Sequence, residues 1–386
     1  MQKAVIVSAV RTAVGRFGGA LRDVSALDLG ALVIKTAIER VGIRPDQVDK
    51  VVMGEVIQTT PGGNPAREAA LKAGLPVEST AYTINMNCAS GLKAIAIAMQ
   101  EIMLGNGGVI VAGGMENMNQ APYLVEGSRW GYRLGDGVLV DMLATYVLGG
   151  MGEMAERMAE KYKISREEQD LFAFGSHQKA LKAIEEGKFD DEIVPVEIPQ
   201  RKGEPVVFRK DESPRPDTSP EKLAGLRPVF RKDGSVTPGN SCPINDGAAA
   251  VVLVSEEKAK ELGLESIGTL KGWATCGVEP SLMGIGPVPA TKKVLQETGI
   301  TLQEIDLIEL NEAFAAQALS VIQELGLKGE KVNVNGGAIA LGHPIGATGA
   351  KLLTTLLYEM RRRDSRYGLV TMCIGGGQGI AVVVER

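Results

Sequence analysis

Cysteine and histidine are the residues of this chain best suited to chemistry near neutral pH, because thiols and imidazoles both exchange protons there. The chain has four cysteines (Cys88, Cys242, Cys276, Cys373) and two histidines (His177, His343). Cys88 follows the strand-like run TINMN and precedes a helix expected from Ser90, whereas Cys373 ends the run GLVTM and enters the glycine turn IGGGQG. A thiol at a helix N-terminus has its anion stabilised by free N–H groups and by the helix dipole. His343 stands in GGAIALGHPIGATGA, directly before another expected helix, and is the stronger candidate for a base. His177, in GSHQKALKA, falls on a polar amphipathic helix and is expected at the surface. The competing reading of each residue is packing: a small apolar cysteine at a tight strand end, a hydrogen-bonded histidine in the core. Two cysteines at what read as comparable strand ends, with a histidine before a related helix, favour a reactive site. The glycines after Cys373 then let backbone N–H groups approach a substrate oxyanion.

The elements that must position these residues come from an internal duplication. Residues 37–55 (AIERVGIRPDQVDKVVMGE) and 294–312 (VLQETGITLQEIDLIELNE) match at an offset of 257, pairing Gly42 with Gly299, Asp49 with Asp306 and Glu55 with Glu312. Gly91 and Lys93 then match Gly349 and Lys351 at an offset of 258, and Gly108 matches Gly368 at 260. Short runs that are apolar on both faces predict strands near 4–9, 51–56, 82–86, 109–113 and 248–254 in the first half. In the second half they predict strands near 267–275, 306–310, 331–334, 368–373 and 379–385. Leu353, Leu356, Leu357 and Met360 recur with helical spacing, so a helix follows Thr348. The segment from Leu92 to Met103 is apolar nearly all round, which predicts a buried helix. Residues 118–243 have no counterpart in the second half and read as an insertion with helices of its own. The organisation expected is therefore 1–117 with 244–265 as one α/β half, 118–243 as an inserted loop domain, and 266–386 as the other half.

Composition narrows the function. A chain of 386 residues suits two or three domains, and its net charge of −5 opposes non-specific nucleic-acid binding. No apolar run reaches the roughly 18 residues of a membrane span. No C-x-x-C pair suggests a zinc site or a disulfide framework. With a strand from Ala4 to Val10, no presequence read before it and no address read in VVVER, a cytoplasmic location is expected. GGGQG is followed by a strand rather than a helix and so fails as a dinucleotide fingerprint; neither G-x-x-x-x-G-K-[ST] nor G-x-S-x-G occurs.

The blocks NCASGLKA, GNSCPINDGAAA, NEAFAAQ, GGAIALGHPIGATGA and CIGGGQG, with MGIGPVPA at 283–290, resemble in order and spacing the signatures of the thiolases. The resemblance covers essentially the whole chain. It implies a layered α-β-α-β-α fold of two duplicated five-stranded halves with an inserted loop domain that cradles coenzyme A. It implies that Cys88 carries the acyl group, that Cys373 moves the proton on the acetyl methyl carbon, and that His343 activates Cys88 and helps bind the thioester oxygen. Asn311 would hold a water in that oxyanion site, and the N–H groups of Cys88 and Gly375 would form a second one. Arg215 corresponds to a position associated with the nucleotide's phosphates, and Cys242, Met151 and Phe314 to contacts of the CoA and acyl arm. The implied reaction is reversible thiolysis of a 3-ketoacyl-CoA, with CoA as substrate and no metal or redox cofactor. The implied partners are acyl-CoA and further copies of the same chain, as a homodimer or homotetramer; in some members NQAPYLVEGSRWGYRLGD lies where tetramer contacts occur.

Two departures bear on substrate. Acetoacetyl-specific members carry His-Met-Gly where this chain has Gly150-Met151-Gly152, and the preceding DMLATYVLGG is shorter. Loss of that histidine predicts tolerance of longer acyl chains. Cys242 stands where a serine usually contacts the CoA arm; a thiol is a weaker donor, and simple packing is the other reading. The alternatives are an acetoacetyl-CoA-specific biosynthetic thiolase, a β-ketoacyl synthase on the same fold, and a thiolase-like scaffold in a multienzyme complex. The synthase would place its histidines differently and lack Cys373; Cys88, Asn311, His343 and Cys373 together oppose pure scaffolding.

Overall fold

The computed structural model describes residues 2–59, 62–148 and 150–386, without the side chains of 146–148. Five main strands form the first sheet: β1 (Ala4–Thr12), β2 (Lys50–Gly54), β3 (Thr80–Ile84), β4 (Val109–Asn117) and β5 (Asn245–Ser255). They lie in the order β3-β2-β4-β5-β1, with Ile193–Val194 added beside β1 and Gly15–Arg16 beside β5. The second sheet contains β6 (Thr269–Gly277), β7 (Leu307–Leu310), β8 (Tyr367–Ile374) and β9 (Gln378–Glu385), in the order β6-β9-β8-β7. Strand β2 runs parallel to β3 and β4, and β5 antiparallel to β4 and β1. The second sheet repeats this scheme: β7 is parallel to β8, and β9 is antiparallel to β8 and β6.

The fifth strand expected at 331–334 is reduced to one bridge, Ile308 to Val332. Asn333 is the reason. Its backbone is left-handed (φ 44°), which ends an extended run. Its side-chain amide then does what a neighbouring strand would do: it accepts from the N–H of Leu310 and donates to the carbonyl of Leu310, both at 2.8 Å.

Helices complete five layers. α1 (Ala26–Glu39) and α2 (Pro65–Lys72) cover the outer face of the first sheet. α3 (Ser90–Met103) packs between the sheets against the last helix, named α8 below. After the insertion's two long helices, α4 (Met151–Tyr162) and α5 (Arg166–Glu185), come α6 (Pro287–Thr298) and α7 (Ala315–Leu325) on the outer face of the second sheet. The last helix is α8 (Thr348–Arg363); its Leu353, Leu356, Leu357 and Met360 are all buried. With Leu92, Ile95 and Ile102 of α3 they form the central core. Truncating one of these leucines to alanine costs about 3 kcal/mol. The two helices touch closely at their N-termini, where a Cβ on Gly349 would lie 2.6 Å from the backbone nitrogen of Leu92.

Between β4 and β5 the chain builds α4, α5, a short helix Pro220–Ala224 and two small ribbons. α5 starts with a capping box, in which Ser165 and Glu168 satisfy each other's backbone donors. A buried ion triad fastens this region to β1: Arg11 reaches Glu192 at 2.6 Å and Asp211 at 2.8 Å. Breaking such a pair strands a buried charge and costs about 3–5 kcal/mol.

Candidate active site

Strands of both sheets end at one cavity of about 130 Å³, lined by Cys88, His343, Cys373, Gly375, Cys242, Met151 and Phe314 among others. The wall is mostly apolar: Met118, Phe230, Ile244, Met283 and Ile345 join it, and Phe230 meets Phe314 edge-on at 6.3 Å. Arg215 lies elsewhere, in a groove of about 500 Å³ that shares Ser241 and Pro243 with the cavity. Asn311 lines neither; it is fully buried at the end of β7.

The turn carrying Cys88 is tight. Asn87 adopts φ 47°, which folds the chain back between β3 and α3. Ser90 Oγ pins it, donating to the carbonyl of Asn87 at 2.6 Å and accepting from the N–H of Met86 at 2.9 Å. Asn87 Nδ2 then donates to the carbonyl of Gly375 at 2.9 Å, joining this turn to the glycine turn after Cys373. Burial pushes the Cys88 thiol up to about 11, against the opposing N–H groups of Gly375 and of Cys88 itself. The helix N-terminus therefore does not produce a resting thiolate; desolvation wins.

His343 is held from both sides. Its own N–H donates to Asn245 Oδ1 at 2.9 Å, and the loop after it is fixed by the N–H of Gly346 on Glu116 at 2.8 Å. Glu116 also accepts from the N–H groups of Val56 and Ile57, so one buried carboxyl links two strand ends of the first sheet to the histidine loop. The imidazole Nδ1 lies 2.6 Å from Thr348 Oγ1, whose single hydrogen is donated to the carbonyl of Pro344 at 2.7 Å. Thr348 can only accept from the ring, so Nδ1 carries the proton and Nε2 keeps a free lone pair. Burial, with the nearby Lys351 cation, lowers the imidazole to about 3, so the ring is neutral at physiological pH.

Cys373 is 2% exposed; burial, with the Cys88 and Cys242 thiols close by, drives its pKa far above the ordinary thiol range. Cys242 is pushed up to about 12 by burial, and its N–H donates to the carbonyl of Ala313 at 3.0 Å. Both side-chain atoms of Asn311 lack a partner among the described residues. Such a buried amide is costly unless a water or a substrate oxygen answers it.

Two further sequence expectations change. Cys88 and Cys373 do not occupy corresponding positions in the duplication. Cys88 precedes α3, whose counterpart α8 follows the His343 loop, whereas Cys373 ends β8, the counterpart of β4. The three groups meet because carboxyl ends of several strands converge, not because the repeat places two thiols alike. His177 is no surface residue: it is 4% exposed, and its Nδ1 accepts the N–H of Arg215 at 3.2 Å. The polar composition of α5 hid this, since the helix is covered on several sides by the groove loop and by α7. The segment DMLATYVLGG includes residue 149, which lies outside the described residues. Glu116, Asn245 and Thr348 were missed; a polar residue at the end of a strand in GGMEN and at the start of one in PINDG is the only signal for the first two.

Fold and cavity together define an α/β enzyme whose cavity is lined by thiols and one neutral imidazole. Family models place it further: the model of the thiolase N-terminal domain matches residues 4–257 and that of the thiolase C-terminal domain matches 264–386. Over the full length of both chains it is 54% identical to an acetyl-CoA acetyltransferase of Cupriavidus necator and 53% identical to a probable acetyl-CoA acyltransferase of Staphylococcus aureus. The crystal structure of an acetyl-CoA acetyltransferase of Bacillus anthracis superposes with a TM-score of 0.97 at 49% identity, covering all of this chain and 99% of that one. Human mitochondrial 3-ketoacyl-CoA thiolase superposes with a TM-score of 0.96 at 42% identity, covering all of this chain and 98% of that one. The chain belongs to the thiolase family. It is an acyltransferase that works by thiolysis on acyl-CoA thioesters.

Proposed function

We propose that the enzyme cleaves 3-ketoacyl-CoAs of more than one chain length, with Cys88 as nucleophile, His343 as its base and Cys373 as the acid. The observation that carries this is the apolar cavity lined by one thiol that meets two N–H groups, by a neutral imidazole and by a second, more deeply buried thiol. The resting pair is a thiol beside an imidazole, so proton transfer to Nε2 accompanies attack. Cys88 Sγ bonds to the 3-keto carbon as its proton passes to His343. The alkoxide collapses, the C2–C3 bond breaks, and the electron pair becomes the enolate of acetyl-CoA. The Cys373 thiol protonates C2 and is left as thiolate. CoA then gives its proton to Cys373 and attacks the acyl group; Cys88 leaves and recovers its proton from His343. Each charge returns to its starting place, so the chemistry calls for neither metal nor redox cofactor.

The enolate oxygen needs preorganised donors, each worth about 3–4 kcal/mol. A water held by the unpartnered amide of Asn311, together with His343, supplies one such site, and the N–H groups of Cys88 and Gly375 supply the other. The groove beside Arg215 takes the nucleotide end of CoA. Its walls carry Arg16, Arg215 and Lys222, and among the described residues the guanidinium of Arg215 has no ion-pair partner. The stretch 118–243 supplies most of that groove, which supports its role as the CoA lobe between the two α/β halves.

Gly150, next to the cavity-lining Met151, stands at φ 96°, a conformation that suits glycine; it carries no side chain where acetoacetyl-specific members carry histidine, and a Cβ there would meet nothing within 4 Å. That open position supports acceptance of longer acyl chains. Thiolysis of C4 to C12 3-ketoacyl-CoAs, with the acylated peptide located by mass, tests the assignment: comparable turnover across the series and a label on Cys88 are expected. Turnover confined to acetoacetyl-CoA would instead establish the biosynthetic, acetoacetyl-specific reading, which the acetyltransferase names of several relatives favour. A homo-oligomer completes the proposal. The arm at 119–141 exposes Trp130 (89%) and Leu134 (96%), with Tyr123, Val138 and Leu139 beside them, an apolar surface suited to another copy of the chain. No helix among the described residues is long and apolar enough to cross a membrane. Four free cysteines, one of them required as a nucleophile, suit the reducing cytoplasm.

A further inference from the structure

His177 and Ser176 are adjacent on α5 and face opposite ways. Ser176 Oγ donates to Glu312 at 2.7 Å and turns inward, while His177 lines the groove beside Arg215, Asp217 and Lys222. The imidazole has one assigned bond: Nδ1 accepts the N–H of Arg215 at 3.2 Å. A nitrogen that accepts a backbone N–H carries no proton, so in the neutral ring Nε2 must carry it. Among the described residues no protein group accepts that Nε2–H. Burial, together with the Arg215 cation and against Asp217, lowers the imidazole to about 4, so the neutral tautomer prevails near pH 7. The groove therefore presents an oriented donor that no other described residue uses.

We propose that His177 donates a hydrogen bond through Nε2–H to an acceptor on the nucleotide end of CoA, while its Nδ1 holds the Arg215 backbone in place for the same ligand. This rests on reading the groove as the nucleotide site. The acceptor is a phosphate oxygen or a purine nitrogen, the two chemistries that the nucleotide end offers there. His177 acts on binding and not on the bond-making steps, because the reacting thiols line the other cavity.

Asparagine and glutamine separate the two ring nitrogens. The Oδ1 of an asparagine can accept the Arg215 N–H as Nδ1 does, but its side chain has no donor where Nε2–H lies; the amide nitrogen of a glutamine reaches that place. H177N is expected to raise KM for CoA in thiolysis about tenfold, with kcat changed less than twofold, and H177Q to recover most of the loss. With pantetheine, which lacks the nucleotide, KM should be the same in all three proteins. Dephospho-CoA assigns the acceptor: an H177N effect that vanishes with it points to the 3′-phosphate, and one that persists points to the diphosphate or the adenine. An unchanged KM for CoA in H177N, or an equal rise with pantetheine, would overturn the proposal. The underlying reading fails separately, if the unsubstituted enzyme does not distinguish CoA from pantetheine at all.

Discussion

The two halves share one strand order and differ in what their corresponding turns deliver. The turn before α3 carries Cys88 and the turn before α8 carries His343. Both are pinned by a hydroxyl at the helix start, and the two hydroxyls are themselves duplicates, Ser90 and Thr348, 258 residues apart. Ser90 bonds only backbone, to Met86 and Asn87, whereas Thr348 bonds the Pro344 carbonyl and the imidazole. Glu55 and Glu312, duplicates at an offset of 257, diverge further. Glu312 accepts from Ser176, Asn333 and the N–H of Ile339. Both oxygens of Glu55 lack a partner among the described residues. Part of the difference follows from the insertion: it exists in the first half only, yet α5 reaches across to place Ser176 on the second half, where Asn333 and Ile339 add the other two donors. A symmetric frame puts strand ends together, and an asymmetric insertion decides which of them is buttressed.

The largest effects should come from the two thiols. C88A is expected to lower kcat/KM for thiolysis by at least about 10⁴-fold and to abolish the acylated peptide. C373A should lose C–C cleavage by about 10³-fold and still accept an acyl label on Cys88 from a saturated acyl-CoA. Thiolysis in C373A within tenfold of the parent would erase the proposed division of labour. The duplicated hydroxyls come next. T348V removes the acceptor that fixes the His343 tautomer and should lower kcat about 10- to 100-fold with little change in KM. S90A, at the matching place, should cost stability instead, about 1–2 kcal/mol in denaturant titration, because two backbone groups lose their partner. Equal kinetic losses in both variants would mean that the two turns are not functionally distinct.

The carboxyls give the last test, which reads stability and depends on pH. Burial, with Glu116 and Glu68 nearby, raises Glu55 to about 8. Between about 4.5 and 8 the folded protein keeps this proton and the unfolded chain does not, so the folded state loses stability as pH rises across that window. E55Q removes that titration: its stability at pH 8.5 relative to pH 5.5 should exceed the parent's by up to about 3 kcal/mol. E312Q should instead cost about 2 kcal/mol at pH 5.5, since three donors converge on that carboxyl, and less at pH 8.5, because burial holds the Glu312 pKa above the ordinary carboxyl range and the parent loses stability as pH rises.

Local pattern made much of the frame legible. Apolar runs bounded by turns located nine of the ten expected strands, and helical spacing located α3 and α8, because periodicity is a property of neighbouring residues. The tenth failed at Asn333, where one left-handed residue and one side-chain amide replace a ladder, which composition does not reveal. Several residues of the motif blocks line the cavity, among them Cys88, Cys242, His343, Cys373 and Gly375, whereas Asn311 of NEAFAAQ lies outside its lining.

What the sequence alone determined, then, was the set of candidate residues and most of the elements that carry them. Which protonation states they hold was decided only in three dimensions. Cys88 stays a thiol because desolvation outweighs two N–H donors, and His343 stays neutral with its proton on Nδ1 because Thr348 can only accept. The burial of His177 likewise depends on a groove loop nearly forty residues away in sequence. Burial and hydrogen-bond direction depend on contacts between distant segments, and no local pattern along the chain encodes them.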